Sequence, residues 1–396
     1  MTLSADWSTR SEFWRKRADR PELTGQSGGH RQDHSARRAL TLSGMGLRLS
    51  VERGALRVVD GFTHYPQERR DLLFFPADRK LPSRIVIVDG KGSISIDALA
   101  WLAEQRVPLV RVNWRGEATF AIGGAAAQLD PERIAWQVET RRDETRRAAF
   151  VRDLLRDKIA ACLRTLETTA PPSKAKDGAL GLHQVTLQRF AESSFNGLSI
   201  DALRTLEARC AAAYFAAFTG LPLQWLKRSR HPIPEHWLIT PKRASEARSR
   251  PKNRHADHPV NAMLNYGYAV LASKVQIDIA AQGFDPRRGV YHHDRPDAQA
   301  FVYDLMEPAR PLVDAAIYKL ALGQKLTGAD FILLSDGVCR LSPQLARVVC
   351  AEVEKGLGGG VSKTYGAQAS LIKGGLHICE GAEGGLAGFG SRGALS

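Results

Sequence analysis

The hydrophobic periodicity of this chain changes once, near residue 130, and that change limits the folds it can adopt. Before it, Leu47, Leu49 and Val51 alternate with polar neighbours, and the alternation resumes after Gly54. A period of two interrupted by a short turn predicts a β-hairpin. After residue 130 the apolar spacing becomes helical. The sequence therefore predicts an α+β fold, with a small N-terminal β-rich domain followed by a larger all-α domain.

Turn and cap signals divide the chain further. The apolar run 85–88 ends at Asp89-Gly90, a dipeptide typical of turns. Asp130-Pro131 opens a helical stretch that we expect to continue to about residue 168, and further helices are predicted over 199–218, 260–282 and 304–322. We expect four segments: a mobile basic extension over 1–38, the β-rich domain over 39–125, the helical domain over 130–356, and a Gly-rich disordered tail over 380–396.

The composition excludes several functional classes. The chain has 56 basic and 42 acidic residues, a net charge of +14, which favours a polyanionic partner, nucleic acid first. With 43% hydrophobic residues it can bury a core, so global disorder is excluded. No apolar run approaches the roughly 18 residues of a membrane span, so we expect no membrane partner. Five cysteines without a C-x-x-C pair suit a reducing cytosol, and we expect a cytoplasmic protein.

Four acidic or histidine residues, at three places in the chain, are candidates for metal chemistry. Asp304 and Glu307 share one face of a helix, where two carboxylates suit Mg²⁺ or Mn²⁺. The same Asp-x-x-Glu spacing is also a capping box, with Asp304 at the helix start. His292, in a loop just upstream, is either a metal ligand or an exposed polar residue. Glu207 borders the apolar stripe of the 199–218 helix and is either directed inward or solvated.

Positive charge is concentrated between Trp225 and Arg254. Nine lysines and arginines lie there against two glutamates, and Trp225, Trp237 and His231 are interleaved with them. This pattern favours a groove that follows phosphates and stacks an unpaired base over an ordinary solvated loop. The candidate DNA-binding residues are Lys227, Arg228, Arg230, Lys242, Arg243, Arg248, Arg250 and Arg254, together with Arg295 in the loop after His292.

The arginines of the predicted helix that starts near residue 132 differ from this segment. Arg141, Arg142, Arg146 and Arg147 alternate with acidic residues along the chain. Alternating signs are typical of a solvent-exposed helix face with internal salt bridges. We therefore expect these arginines to pair with neighbouring carboxylates rather than with nucleic acid.

Longer motifs closely resemble the CRISPR-associated integrase-endonuclease family, the larger of the two universal subunits of spacer acquisition. The resemblance covers about 40–355 and is carried by HPVNAMLNYGY at 258–268, GFDP at 283–286, GVYH at 289–292, DRP at 294–296 and DLMEPARPLVD at 304–314. Leu206-Glu207, with Ala211 and Tyr214, resembles the upstream glutamate helix of that family. Thr205 and Ala208 stand where the family often has glycines.

The resemblance implies a divalent metal ion, Mg²⁺ or Mn²⁺, bound by Glu207, His292 and Glu307, with Asp304 as a further acidic residue of the catalytic site. It implies that the β-rich domain makes dimer and partner contacts and that the helical domain is catalytic. The expected assembly is a homodimer that joins the small adaptation subunit. The expected reaction is metal-dependent attack of a 3′-hydroxyl end of double-stranded DNA on a CRISPR repeat, which inserts a short DNA fragment.

Alternatives remain open at this point, because residues 1–38 and the Gly-rich tail lie outside the resemblance. The chain could be a stand-alone or mobile-element-associated integrase, or a nuclease of branched DNA. It could also be a non-catalytic DNA-binding relative.

Overall fold

The structure, a computed structural model, describes residues 3–20, 23, 39–65, 67, 69–113, 118–122, 129–226, 231–242, 256–292 and 299–358. Its strands are β1 (Leu40–Glu52), β2 (Ala55–Val59), β3 (Asp71–Phe74), β4 (Ile85–Ile94), β5 (Leu109–Val112), β6 (Ala118–Ile122), β7 (Phe331–Leu333) and β8 (Cys339–Leu341). Its helices are α1 (Leu3–Ala18), α2 (Ile96–Glu104), α3 (Pro131–Arg142), α4 (Glu144–Thr169), α5 (Lys174–Ala191), α6 (Ile200–Ala216), α7 (Pro259–Ala281), α8 (Ala300–Met306), α9 (Arg310–Gly323) and α10 (Pro343–Leu357). The predicted α+β class, with a β-rich region followed by a mostly helical one, is confirmed.

The first six strands form one sheet in the order β3-β2-β1-β4-β5-β6, in which β4 runs parallel to both β1 and β5. The predicted hairpin is confirmed, since β1 and β2 pair antiparallel around Arg53 and Gly54, which both have positive φ. The turn predicted at Asp89-Gly90 is wrong. β4 continues through it because Asp89 takes up φ 48 within the strand and the pairing with β1 shifts register there, as at a β-bulge.

The two faces of β4 pack against different cores. Ile85 and Ile87 belong to a cluster with α2 residues such as Leu102, whereas Val86 and Val88 belong to the large core of the helical part. Successive residues of a strand point to opposite faces, so one strand contributes to both cores. The sheet and the helices are thereby packed together through buried apolar surface.

Two predicted helices are interrupted at identifiable residues. The stretch from 132 to 168 breaks at Asp143, whose side chain accepts a hydrogen bond from the backbone N–H of Arg146 at 2.9 Å and so begins α4. The helix predicted over 304–322 begins earlier, at Ala300, and a 3-10 turn at Glu307–Ala309 separates α8 from α9. The helices predicted over 199–218 and 260–282 are confirmed as α6 and α7.

The mobile extension expected over 1–38 is wrong for residues 3–18, which form α1 and pack against α10. Trp14 is fully buried, and its indole Nε1 donates to Asp330 Oδ1 at 2.7 Å. Arg10 donates to both oxygens of the same carboxylate, each at 2.9 Å. A buried carboxylate is stable only when it is paired, so these contacts explain why the helix is held. The rest of the segment, apart from residues 19, 20 and 23, lies outside the described residues, as does the Gly-rich tail.

Two structural findings concern the membrane-span and cysteine patterns of the sequence. Among the helices of the described ranges, none is long and apolar enough to cross a membrane. Cys162, Cys210, Cys339 and Cys350 are buried free thiols.

Candidate metal centre

Glu207 and Glu307 come from different elements and meet at one cation. In α6, Ser199 caps the helix and the buried stripe of Leu203, Cys210 and Tyr214 turns the Glu207 side chain toward the core. Glu307 begins the 3-10 turn after α8 and is only 3% exposed. Each carboxylate contacts the ammonium of Lys158 in α4, Glu207 through a short hydrogen bond and Glu307 at 2.6 Å. The carboxylates of Glu207 and Glu307 therefore face the same position.

Asp304 holds the loop that carries His292. Its carboxylate is fully buried and accepts hydrogen bonds from the backbone N–H groups of Val290, Tyr291 and His292 at 2.6, 2.9 and 2.8 Å. The same carboxylate contacts Nδ1 of His292 at 2.7 Å. Asp304 lies inside α8 rather than at its start, so the capping-box interpretation is wrong. In the neutral ring, a carboxylate bonded to Nδ1 keeps the proton on that nitrogen and leaves the lone pair of Nε2 free.

Tyr291 connects the two halves of this site. Its hydroxyl donates a short hydrogen bond to Glu207 Oε2, while its backbone N–H is held by Asp304. Burial, together with the charge of Glu207, raises the pKa of Tyr291, so its hydroxyl stays a donor. The position of the Glu207 carboxylate is thus coupled to the loop that positions His292.

The charges of the site oppose the effect of burial. Burial disfavours the ionised Glu307 carboxyl, but the nearby Arg310 guanidinium and Lys158 ammonium outweigh it and lower the pKa of Glu307. Burial likewise disfavours the ammonium of Lys158, but Glu307 and Glu207 outweigh it and raise its pKa. The pKa of His292 is also raised, because its bond to Asp304 outweighs desolvation of the ring. Glu307 is therefore anionic, Lys158 is cationic, and Asp304 stabilises the charged form of His292.

Two of the arginines predicted to form surface salt bridges contact the backbone of the His292 loop. Arg141 donates to the carbonyls of Gly289 and His292 at 2.7 and 2.6 Å. Arg147 donates to the carbonyl of Val290 at 2.8 Å. The alternating charge pattern did not predict these contacts, which arise because α3 and α4 turn the two side chains toward the loop. The predicted pairing is found for Arg146, whose guanidinium lies 3.6 Å from Glu139.

The fit of these residues to a metal ion is partial. Within the described ranges, no three His, Cys, Asp or Glu side chains converge closely enough to hold one ion. The donor chemistry nevertheless suits Mg²⁺ or Mn²⁺, since two carboxylates already share one cationic neighbour and a histidine is oriented by a buried carboxylate. Glu207, His292 and Glu307 are therefore residues that could hold the ion, and Asp304 orients His292.

Most of the predicted DNA-binding segment cannot be compared with the structure. Lys242 is described and exposed. Trp237 is 2% exposed and packs between Trp225 and Phe331, so the prediction that it stacks on an unpaired base is wrong. The remaining candidates lie outside the described residues: Lys227, Arg228, Arg230, Arg243, Arg248, Arg250, Arg254 and Arg295.

Sequence reasoning missed Lys158, although a signal for it exists. Lys158 stands four residues after Leu154 and four before Cys162, two buried residues on one face of α4. Residues spaced by four share a helix face, so a lysine at this position is directed toward the core. A charged residue in an apolar stripe requires a buried partner of opposite charge. The loop carbonyls that Arg141 and Arg147 contact had no comparable signal.

Comparison with known proteins places this arrangement in a family. The sequence profile described as "CRISPR associated protein Cas1" matches residues 46–355, which include every residue of the centre. The chain belongs to the Cas1 family. The match leaves out α1, which is therefore an addition to the part that the family profile covers.

Individual relatives agree with the profile. A "CRISPR-associated exonuclease Cas4/endonuclease Cas1 fusion" of Rhodospirillum rubrum is 30% identical over 275 residues, which are 69% of this chain and 44% of the fusion. The chain thus spans less than half the length of that relative. A "CRISPR-associated endonuclease Cas1 1" of Archaeoglobus fulgidus is 24% identical over 318 residues, 75% of this chain and 86% of that protein.

Solved structures share the fold. A casposase bound to its integration product superposes with a TM-score of 0.63 at 22% identity, covering 81% of this chain and 82% of the casposase. A Cas1 protein of Thermotoga maritima gives a TM-score of 0.58 at 17% identity, covering 90% of this chain and all of that one (100%). A Cas6-RT-Cas1–Cas2 complex gives 0.61 at 18% identity, with 89% of this chain and 36% of the complex chain covered.

Proposed function

We propose that this Cas1-family protein is a metal-dependent DNA endonuclease and integrase that inserts short DNA fragments into a CRISPR repeat. The inserted fragment is double-stranded DNA with 3′-hydroxyl ends. Membership of the Cas1 family supports the proposal, as does the name of the Archaeoglobus relative, which describes an endonuclease. The casposase with the same fold is described as bound to an integration product, which supports strand joining on this scaffold.

The observation that carries the proposal is the convergence of Glu207 and Glu307 on one cation position, beside a histidine that Asp304 orients. We propose that Glu207, His292 and Glu307 bind Mg²⁺ or Mn²⁺ there. The bound ion would supply Lewis-acid polarisation of the scissile phosphate and a lowered pKa for the attacking hydroxyl.

The protein residues fix the geometry that this chemistry needs. Asp304 accepts a hydrogen bond from Nδ1–H of His292, and in the neutral ring this leaves Nε2 free to bind. Tyr291 positions one oxygen of Glu207. Arg141 and Arg147 bind the carbonyls of the loop and so link it to α3 and α4. Such preorganisation is what in-line phosphoryl transfer requires of a protein.

DNA and protein partners follow from the same proposal. The net charge of +14 supports phosphate binding, and the residues between Trp225 and Arg254, with Arg295, would supply the contacts to the DNA backbone. A homodimer that joins the small adaptation subunit is proposed because a structure with the same fold is described as a Cas1–Cas2 complex.

A plasmid-joining assay tests this function. Purified protein is incubated with a supercoiled plasmid carrying a CRISPR repeat and a short duplex with 3′-hydroxyl ends, in Mn²⁺ or Mg²⁺, with and without the small subunit. We expect joined product from the wild type and none from His292→Ala or Glu207→Ala. Glu139→Ala removes an exposed carboxylate from α3 and should join like the wild type.

Three other outcomes would contradict the proposal. Full joining by His292→Ala would refute the site. Salt-dependent DNA binding without metal binding or joining would indicate a non-catalytic relative. Cleavage of branched DNA without joining would indicate a nuclease.

A further inference from the structure

A lysine ammonium lies on the buried side of the candidate centre. Lys158 projects from α4 along the same face as Leu154 and Cys162, and its side chain is 15% exposed. Its ammonium contacts one oxygen of Glu207 and lies 2.6 Å from an oxygen of Glu307. Both oxygens belong to residues that we propose as metal ligands.

Two cations cannot occupy this position together. A metal ion binds carboxylate oxygens at about 2.0–2.2 Å, and an ammonium already within hydrogen-bond distance of both carboxylates would lie against that ion. Like charges this close repel strongly in a partly buried site. The lysine stem has four rotatable carbons, so the ammonium can swing away while α4 stays in place.

We propose that Lys158 is a resident counter-ion of the Glu207–Glu307 pair, which a divalent cation must displace and which thereby sets the affinity of the centre for metal. This inference rests on the proposed function and deepens it. The lysine holds the two carboxylates together in a single position, since without a cation between them they would repel each other. The same contacts make metal binding an exchange of one cation for another.

Three alternatives differ in what they predict. If Lys158 were only a structural ion pair, its removal would leave metal affinity unchanged or weaken it through loss of positioning. If any change at this position disturbed the site, the charge-conserving Lys158→Arg would act like Lys158→Met. If net charge alone mattered, Arg156→Met, which removes a 45%-exposed guanidinium from the same helix, would act similarly.

Equilibrium binding of Mn²⁺ measures the effect without using activity. Calorimetric titration of the full-length protein, confirmed by the electron paramagnetic resonance signal of free Mn²⁺, gives the dissociation constant of each variant. We expect Lys158→Met and Lys158→Gln to bind Mn²⁺ at least tenfold more tightly than the wild type, a change of about 1.4 kcal/mol. Lys158→Arg and Arg156→Met should stay within about threefold of the wild type.

A thermal melt provides the second readout. In chelator, Lys158→Met should melt at a lower temperature than the wild type, because two facing carboxylates then lack a counter-ion. Saturating Mn²⁺ should raise its melting temperature by more than that of the wild type.

The outcomes separate the two proposals. Mn²⁺ binding by the wild type with no tightening in either neutral variant would overturn the role of Lys158 and leave the metal site standing. Tightening in Lys158→Arg equal to that in Lys158→Met would overturn it as well. No Mn²⁺ binding by any of the proteins would overturn both.

Discussion

The carboxylate of Asp304 offers the sharpest test of how the centre is built. Its two oxygens accept from three backbone N–H groups and from Nδ1 of His292, at 2.6–2.9 Å. Asp304→Asn keeps the shape but exchanges one oxygen for an NH₂ group. Val290 and Tyr291 share one of these oxygens, and the two His292 donors share the other. In either orientation of the amide, its NH₂ group therefore faces two N–H donors and cannot accept their hydrogen bonds.

The cost can be estimated from the contacts. Each buried N–H that loses its acceptor costs about 1–3 kcal/mol, so two lost acceptors give about 2–6 kcal/mol. Domains of this kind are stable by about 5–15 kcal/mol, so this loss is a large fraction of the total and should be clear in an unfolding curve. Loss of the partner that orients a metal-binding histidine typically lowers metal affinity by about 10–100-fold. We expect both effects together.

Urea unfolding and Mn²⁺ titration of the same preparations measure the two effects. Asp177→Asn is the matched control, because Asp177 is an exposed aspartate in the first turn of α5. It should change the unfolding free energy by less than about 0.5 kcal/mol. If Asp304→Asn also stays within that margin, Asp304 does not hold the loop. If it loses stability but binds Mn²⁺ like the wild type, Asp304 does not orient His292 as a ligand.

Three further predictions concern the scaffold and use the same unfolding assay. Burial lowers the pKa of His258 to about 4, below the ordinary 6.5. As pH falls, the unfolded chain therefore binds a proton at this histidine before the folded chain does. The free energy of unfolding should keep its full value well above pH 6.5 and be about 1.4 kcal/mol lower at pH 5.5. His258→Asn, which can still cap α7, should lack this slope, and an equal slope would contradict the assignment. Trp14→Ala should cost about 3–5 kcal/mol and Phe13→Ala, at a side chain 41% exposed, much less; equal effects would show that α1 is not docked. A Cβ on Gly267 would lie 2.6 Å from a valine methyl of α9, so Gly267→Ala should cost about 1–3 kcal/mol, whereas Gly178→Ala in α5, with nothing within 4 Å, should be neutral or stabilising.

The sequence was informative where the pattern is local. The alternation around Gly54 and the helical spacing after residue 130 determine which faces are buried, so the fold class and the hairpin could be predicted. Asp143 and Asp89 show the limit. An aspartate inside a helical pattern can cap a second helix, and a turn dipeptide can lie within a strand when its partner strand absorbs the irregularity. Both outcomes depend on tertiary neighbours that periodicity does not encode.

The candidate site divides in the same way. Glu207, His292 and Glu307 were identified by resemblance, and their chemistry was evident from residue type. The spacing of Lys158 predicts that its side chain points inward. Its contacts could not be predicted, because Glu207 is 49 positions away in the sequence and Glu307 is further still. The role of Asp304 depended on backbone N–H groups that a loop presents only when folded. Such long-range contacts arise from packing.

We propose that this site joins a 3′-hydroxyl end to a phosphodiester of the target. The most direct measurement compares two otherwise identical duplexes in the Mn²⁺ plasmid-joining assay, one ending in a 3′-hydroxyl and the other in a 3′-hydrogen. We expect joined product only from the hydroxyl-ended duplex, and none from either duplex with Glu307→Gln. Joining of the 3′-hydrogen duplex, or undiminished joining by Glu307→Gln, would contradict it.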